Sequence, residues 1–335
     1  MHIGKSYKIS EFLFWTRRSI LWLVLAGAIP TVLYQVFDLK WLSFPWPVVG
    51  LLGTGTAFII GFKNVQTYNR TWEARQAWGA TISASRAWAM MCRDFIRDTD
   101  RSREIIYRHF AWLTALRYQL RTQRTWETTG KAHNREYQRF YSIPENEMPI
   151  EAELSKYLAK EELQNILPKN NRAVQLLGLQ SDALKDLNKD GVLEDFRFLA
   201  MHNALREFSA HQGKSEGIKN FPYPRQYATI NTLFVHLFCL VLPFAMLSEF
   251  NSLNDHIAGS LKGHMVWFVI PFSVLISWLY TSLDQVGEST ANPFEGGSND
   301  VPISQMSRAV EIDIREMIGE SDLPVVLDAR NNIVL

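Results

Sequence analysis

Apolar and polar positions divide this chain into four uncharged runs set in a polar background. The runs are Ser19 to Val36, Trp46 to Phe62, Ala228 to Leu247 and Val266 to Leu283. Three of them have the length that a bilayer core demands of a helix. The fourth, WPVVGLLGTGTAFIIGF, rises only about 25 Å as a helix, but it flows without a proline into the charged, aromatic segment KNVQTYNRTWEARQAWG. Pro30, Pro243 and Pro271 fall inside the other three. Such prolines argue for breaks in a soluble helix, whereas in a membrane neighbouring helices satisfy the freed carbonyls. Four buried helices of a soluble protein would be the competing reading, and four such runs in one chain are too many for it.

Between the second and third runs the periodicity is helical. Trp72, Ala74, Trp78, Ile82, Trp88 and Phe95 recur at helical spacings behind the second run. Arg103 to Arg121 places Ile106, Phe110, Leu113 and Leu116 or Leu120 on one face. Gln123 to Pro168 is polar, with Pro144 and Pro149, and predicts a surface connection carrying a helix near Ile150 to Leu167. Asn171 to Leu187 and Val192 to Ser209 predict two helices around a turn at Asn188 to Gly191. No stretch alternates as a strand would. The pattern predicts an all-α integral membrane protein, divided into an arm (1–18), two membrane helices (19–62), a large helical region (63–227), two more membrane helices (228–283) and a C-terminal segment (284–335).

Charge supplies orientation. The two short loops, Phe37 to Pro45 and Ser248 to Met265, hold only Lys40 and Lys262 of the 35 Lys and Arg. The basic residues flanking the runs on the other side are Lys5, Lys8, Arg17, Arg18, Lys63, Arg70, Arg75 and Arg225. The excess of basic residues marks the cytoplasmic side, which puts both termini and the middle region there, in a multi-pass membrane protein. Met1 to Arg18 lacks the organisation of a cleaved signal. A net charge of +1 gives no electrostatic reason to expect nucleic acid. Two cysteines, Cys92 and Cys239, make no disulfide framework and read as packing residues.

Most chemical motifs fail. GTGTAF at Gly53 lacks the third glycine of a dinucleotide loop, and there is no phosphate-binding loop or paired-histidine zinc motif. Asp186, Asn188, Asp190 and Gly191 fit the start of an EF-hand loop, but the position of its closing bidentate glutamate is Arg197. His236 is the one His, Asp, Glu, Lys or Arg inside the runs, and bonding to a neighbouring helix is its expected role. Inside the second run, Thr54, Phe58 and Phe62 share a helix face amid small residues, which suits tight helix packing with one face left for a pore.

The segment GFKNVQTYNRTWEARQAWG, the lead-in NFPYPRQYATIN to the third run, and VGESTANPFEGGSNDVPISQMSRAVEIDIREMIG after the fourth together resemble a bacterial bestrophin homolog, from Phe14 to about Gly319. The resemblance implies a homopentamer around one axial pore, passive passage of inorganic ions (chloride and other anions in the family) and no cofactor. Its hydrophobic neck falls on Thr54, Phe58 and Phe62, and a lower constriction falls near Leu199. The family's calcium clasp falls on Asn292, Glu295 and Asp300, where glycine and serine replace most of the acids, so calcium gating is not expected. The reading from a different class is a non-conducting membrane protein or a membrane enzyme with an intramembrane polar site.

Overall fold

The computed structural model describes residues 1–335 and is entirely helical apart from isolated bridges joining Ile333 to His2 and to Arg330. Twelve α-helices follow in order: α1 (Ile9–Gln35), α2 (Trp46–Phe95), α3 (Thr99–Arg121), α4 (Ala132–Tyr137), α5 (Pro144–Glu147), α6 (Ile150–Leu154), α7 (Lys160–Ile166), α8 (Arg172–Lys189), α9 (Asp195–Asn220), α10 (Arg225–Ser252), α11 (Val269–Ser289) and α12 (Ile303–Met317). Four helical stretches are long and apolar enough to cross a membrane: Ile9–Gln35, Lys40–Phe95, Arg225–Asp255 and Met265–Ser289.

Helix α2 organises the rest. Its 50 residues make a rod of roughly 75 Å. The first half packs on α10 and α11, which also carry α1, in an apolar bundle whose core includes Leu23, Val49, Ile60, Phe238, Leu242 and Val269. The second half enters a polar helical body against α3, α9 and α12. Small residues let the bundle helices approach. A Cβ on Gly53 would stand 2.6 Å from the Phe238 ring, and one on Gly27 would stand 2.8 Å from the Ser273 hydroxyl. Pro30 and Pro243 lie within helices, whereas Pro271 sits in the first turn of α11, where a missing N–H removes no helical bond. The outer faces of α1, α10 and α11 expose Leu21, Leu25, Leu233, Leu240, Leu275 and Leu279, as lipid contact requires.

The polar body has its own core around Trp78, Trp88, Trp112 and Phe208. Burial pushes His109 down to about 3, so it is neutral, and its Nε2 pairs with the Ser85 hydroxyl at 2.9 Å. Asp98 ends the connection after α2 by capping α3, accepting from the N–H groups of Asp100 and Arg101. Helix α9 runs through Gly213 and Gly217 to Asn220, well past Ser209. Each glycine costs about 1 kcal/mol of helix propensity, and burial of Phe208, Gln212, Ser215 and Ile218 offsets it. The helix expected near Ile150 to Leu167 is two, α6 and α7. Between them Tyr157 docks its ring on Phe110 (centroids 5.8 Å apart) and donates to Glu311 at 2.9 Å. That docking overrides the local helical tendency.

Candidate functional site

One face of α2 is unpartnered within the chain. Gly53, Thr56, Ile60, Lys63 and Thr67 point into the fold. On the other side lie Thr54, Phe58 and Phe62, continued by Leu51, Val65, Tyr68 and Trp72. Phe58 is 78% exposed and Phe62 52%. Helices of their own chain leave Phe58 largely uncovered and Phe62 about half covered, so lipid, another copy or a pore must meet the exposed remainder. Thr54 turns its hydroxyl back to the Gly50 carbonyl at 3.0 Å, which spends its donor and leaves mainly its methyl group outward. Gly50, Gly55 and Gly61 would meet nothing within 4 Å even with a Cβ, so this face is thin as well as apolar.

The stripe is held from behind by polar contacts where the apolar bundle gives way to the polar body. Lys63 Nζ bonds Asp284 Oδ1 at 2.6 Å, and the Asn231 side-chain amide donates to the same oxygen. Asn64 donates to the Leu283 carbonyl at 3.2 Å, and Arg70 donates to the carbonyls of Ala291 and Ile218, both at 3.0 Å. Helix α2 is thereby tied to α9, α10, α11 and the segment after α11. The sequence reading missed this cluster because Lys63 read as a boundary charge and Asp284 lies one residue outside its run. Opposite charges at equal depth on two predicted spans were the available signal.

The post-α11 loop folds inward. Asn292, Glu295 and Asp300 are all buried. Glu295 accepts from the Thr128 N–H (2.7 Å) and hydroxyl (2.6 Å), and Asn292 donates to it at 3.4 Å. Asp300 accepts from the Gly296 N–H at 2.7 Å and from Arg121 at 3.5 Å. Arg121 and Arg117 also face the buried Glu145. Burial, with the Asp300 charge second, pushes Glu295 up to about 8, and burial likewise raises Asp300 despite Arg121. Protein donors thus hold both Glu295 oxygens and Asp300 Oδ2, Asp300 Oδ1 is left without a partner, and no three His, Cys, Asp or Glu side chains converge as a cation cage.

Leu199 lies on α9 and is exposed, far in sequence from the α2 stripe. Three residues earlier, Phe196 is 88% exposed, more than any other large apolar side chain. The Asp186 to Gly191 stretch is the end of α8 and its turn, closed by Gly191 at φ +70°. Asp190 pairs with Arg101 at 2.7 Å, and Arg197 faces Glu194 at 3.6 Å. His236 bonds the Thr232 carbonyl of its own helix at 2.7 Å and stacks on Trp22, which corrects the expected bond to a neighbouring helix. Cys92 and Cys239 are free and buried.

The sequence model described as Bacterial/Fungal Bestrophin protein matches residues 16–316. The chain is 29% identical over 295 residues to the voltage-dependent anion channel-forming protein YneE of Escherichia coli, covering 86% of this chain and 84% of that one. A protein of the same description from Salmonella typhi is 28% identical over 292 residues, covering 87% and 82%. Among solved structures, a bacterial bestrophin homolog from Klebsiella pneumoniae superposes with a TM-score of 0.74 at 25% identity, over 90% of this chain and 98% of that one.

Proposed function

The chain belongs to the bacterial and fungal bestrophin family, and on that premise we propose that it is an ion channel formed by five copies around one axial pore. The observation that carries this reading is the α2 face bearing Thr54, Phe58 and Phe62, apolar and largely uncovered by its own chain. Arranged around an axis, the two phenylalanines form stacked apolar rings with Thr54 beside them. A narrow apolar constriction resists wetting and gates ions of either sign. Selectivity then rests on charges flanking the neck, and the names of the relatives favour anions. A second apolar ring falls on α9, where Phe196 and Leu199 share a face one turn apart and Phe196 is the more exposed. The chain sits in the bacterial inner membrane with both termini cytoplasmic. The polar groups that an intramembrane enzyme would need are engaged with each other: Lys63 and Asn231 both bind Asp284.

Calcium is not the gating stimulus in this account, because Glu295 and Asp300 already bind Thr128, Gly296 and Arg121. Reconstituted currents should match in EGTA and in micromolar calcium, and a reversible several-fold rise lost in Asp300→Ala would restore the clasp. The function itself is tested in planar bilayers by reversal potentials under a chloride gradient, with native mass spectrometry of the same preparation. Anion-selective currents from a five-chain species are expected. A stable monomer or dimer that carries full current, or no current from the intact oligomer, would overturn it.

A further inference from the structure

A cavity of about 220 Å³ opens between the N-terminal arm, the start of α1, α4 and the post-α11 loop. That is room for several waters at ~30 Å³ each. Four aromatic rings line it: Tyr7, Phe12, Trp15 and Tyr137. Tyr7 and Tyr137 stand 6.5 Å apart with their planes inclined at 49°, and Phe12 and Trp15 stand 6.0 Å apart at 49°. Ser298 and Asn299 complete the polar part of the lining, and two of the rings have their polar atoms already bonded within the fold. Tyr7 donates to Asn299 Oδ1 at 2.9 Å, and the Trp15 indole donates to Asn134 Oδ1 at 3.1 Å. These rings offer the cavity π surface in place of hydrogen bonds.

The one charged side chain in the lining is Glu11, half-buried and without an ion pair or a side-chain hydrogen bond. Arg17 and Arg18 both bind Glu136, at 2.5 and 2.6 Å, and Lys8, three residues before Glu11, is exposed and makes no ion pair with it. Burial raises the Tyr7 and Tyr137 hydroxyls, and the Glu11 charge adds to the shift of each. Interfacial Trp and Tyr ordinarily anchor a membrane protein by laying their rings at the headgroup level. That role alone calls for neither a cavity nor an unpaired carboxylate.

We propose that Glu11 and the rings of Tyr7, Phe12, Trp15 and Tyr137 form a binding site for an alkylated ammonium group. The negative ring faces attract a cation, the carboxylate supplies the countercharge, and the scarcity of hydrogen-bond acceptors disfavours a strongly hydrated ion. A trimethylammonium group, cationic with an apolar skin, suits that lining. It can arrive on a soluble choline-like molecule or as the headgroup of a zwitterionic phospholipid, because the cavity abuts the start of the first apolar run.

The test uses the full chain in phosphatidylglycerol nanodiscs. Calorimetric titration compares choline with the neutral alcohol in which a tert-butyl group replaces trimethylammonium. Choline should bind saturably, and the alcohol at least roughly tenfold more weakly, since it lacks the charge that both the rings and Glu11 recognise. Glu11→Gln should weaken choline by a similar factor with the oligomer and unfolding temperature unchanged. In parallel, native mass spectrometry after exposure to phosphatidylcholine and phosphatidylglycerol separates the sources. Preferential, Glu11-dependent retention of phosphatidylcholine assigns a lipid headgroup, and binding of free choline alone assigns a soluble ammonium compound. Equal binding of choline and its neutral isostere, or no binding of either choline or phosphatidylcholine to the wild-type protein, overturns the proposal without recourse to any variant.

Discussion

Replacing Lys63 with Met probes the polar anchor behind the α2 stripe. The ammonium and the Asp284 carboxylate are 2.6 Å apart, with side chains only 4% and 12% exposed. Removing the cation leaves a carboxylate buried in the bundle with the Asn231 amide as its remaining side-chain donor. Breaking a buried pair from one side costs about 3–5 kcal/mol, because the surviving charge has lost its compensation. The retained Asn231 bond puts the expected loss near the lower end, about 3 kcal/mol. Replacing both partners, as Lys63→Met with Asp284→Leu, removes the stranded charge. The double variant should then recover most of the loss, short by about 1 kcal/mol for the Asn231 amide left without its acceptor. Equilibrium unfolding in mixed micelles of rising SDS fraction, on both single variants and the double, measures the coupling. Strong non-additivity, with the double more stable than either single, is the expected result. Additive losses, or Lys63→Met as stable as wild type, would refute the assignment of this pair as the anchor.

The raised Glu295 gives a pH signature. Its folded pKa of about 8 exceeds the ordinary 4.5, so the folded state keeps a proton that the unfolded chain releases. The stabilisation is complete below about 4.5 and is lost as pH rises toward 8. Unfolding temperatures of the purified oligomer should therefore carry a component that falls across that window. Glu295→Gln, a neutral mimic able to donate to the Thr128 hydroxyl, should flatten it, and an unchanged slope in the variant speaks against this origin. Gly53→Ala brings a methyl group 2.6 Å from the Phe238 ring and should cost about 1–3 kcal/mol by overpacking. The same SDS titration reads the shift, and no loss would mean that the α2–α10 contact is looser than described.

Fold class was legible because membrane helices announce themselves by length and lack of charge, and all four runs lie within long apolar helices. The unbroken passage of α2 from apolar bundle to polar body also followed from a stretch without proline. Connections were less legible. The division of Ile150 to Leu167 into α6 and α7 depends on Tyr157 reaching Phe110 and Glu311, contacts distant in sequence. The shared face of Thr54, Phe58 and Phe62 could be read from spacing alone, since four residues advance a helix by about 40° beyond a full turn. Spacing could not say whether that face is covered. Lys63 with Asp284, and Glu295 with Thr128, escaped notice for the same reason: each pairs helices or loops whose registers only the folded chain sets.

The most direct test of the central claim is single-channel recording of Phe58→Ala/Phe62→Ala beside the wild type, on preparations shown to keep the same oligomer. Removing both rings takes away most of the apolar bulk that resists wetting. Conductance should rise and spontaneous closures should become rarer, while the reversal potential in a chloride gradient moves little, because charges outside the neck set it. A correctly assembled variant with wild-type conductance and gating would contradict a neck at these residues.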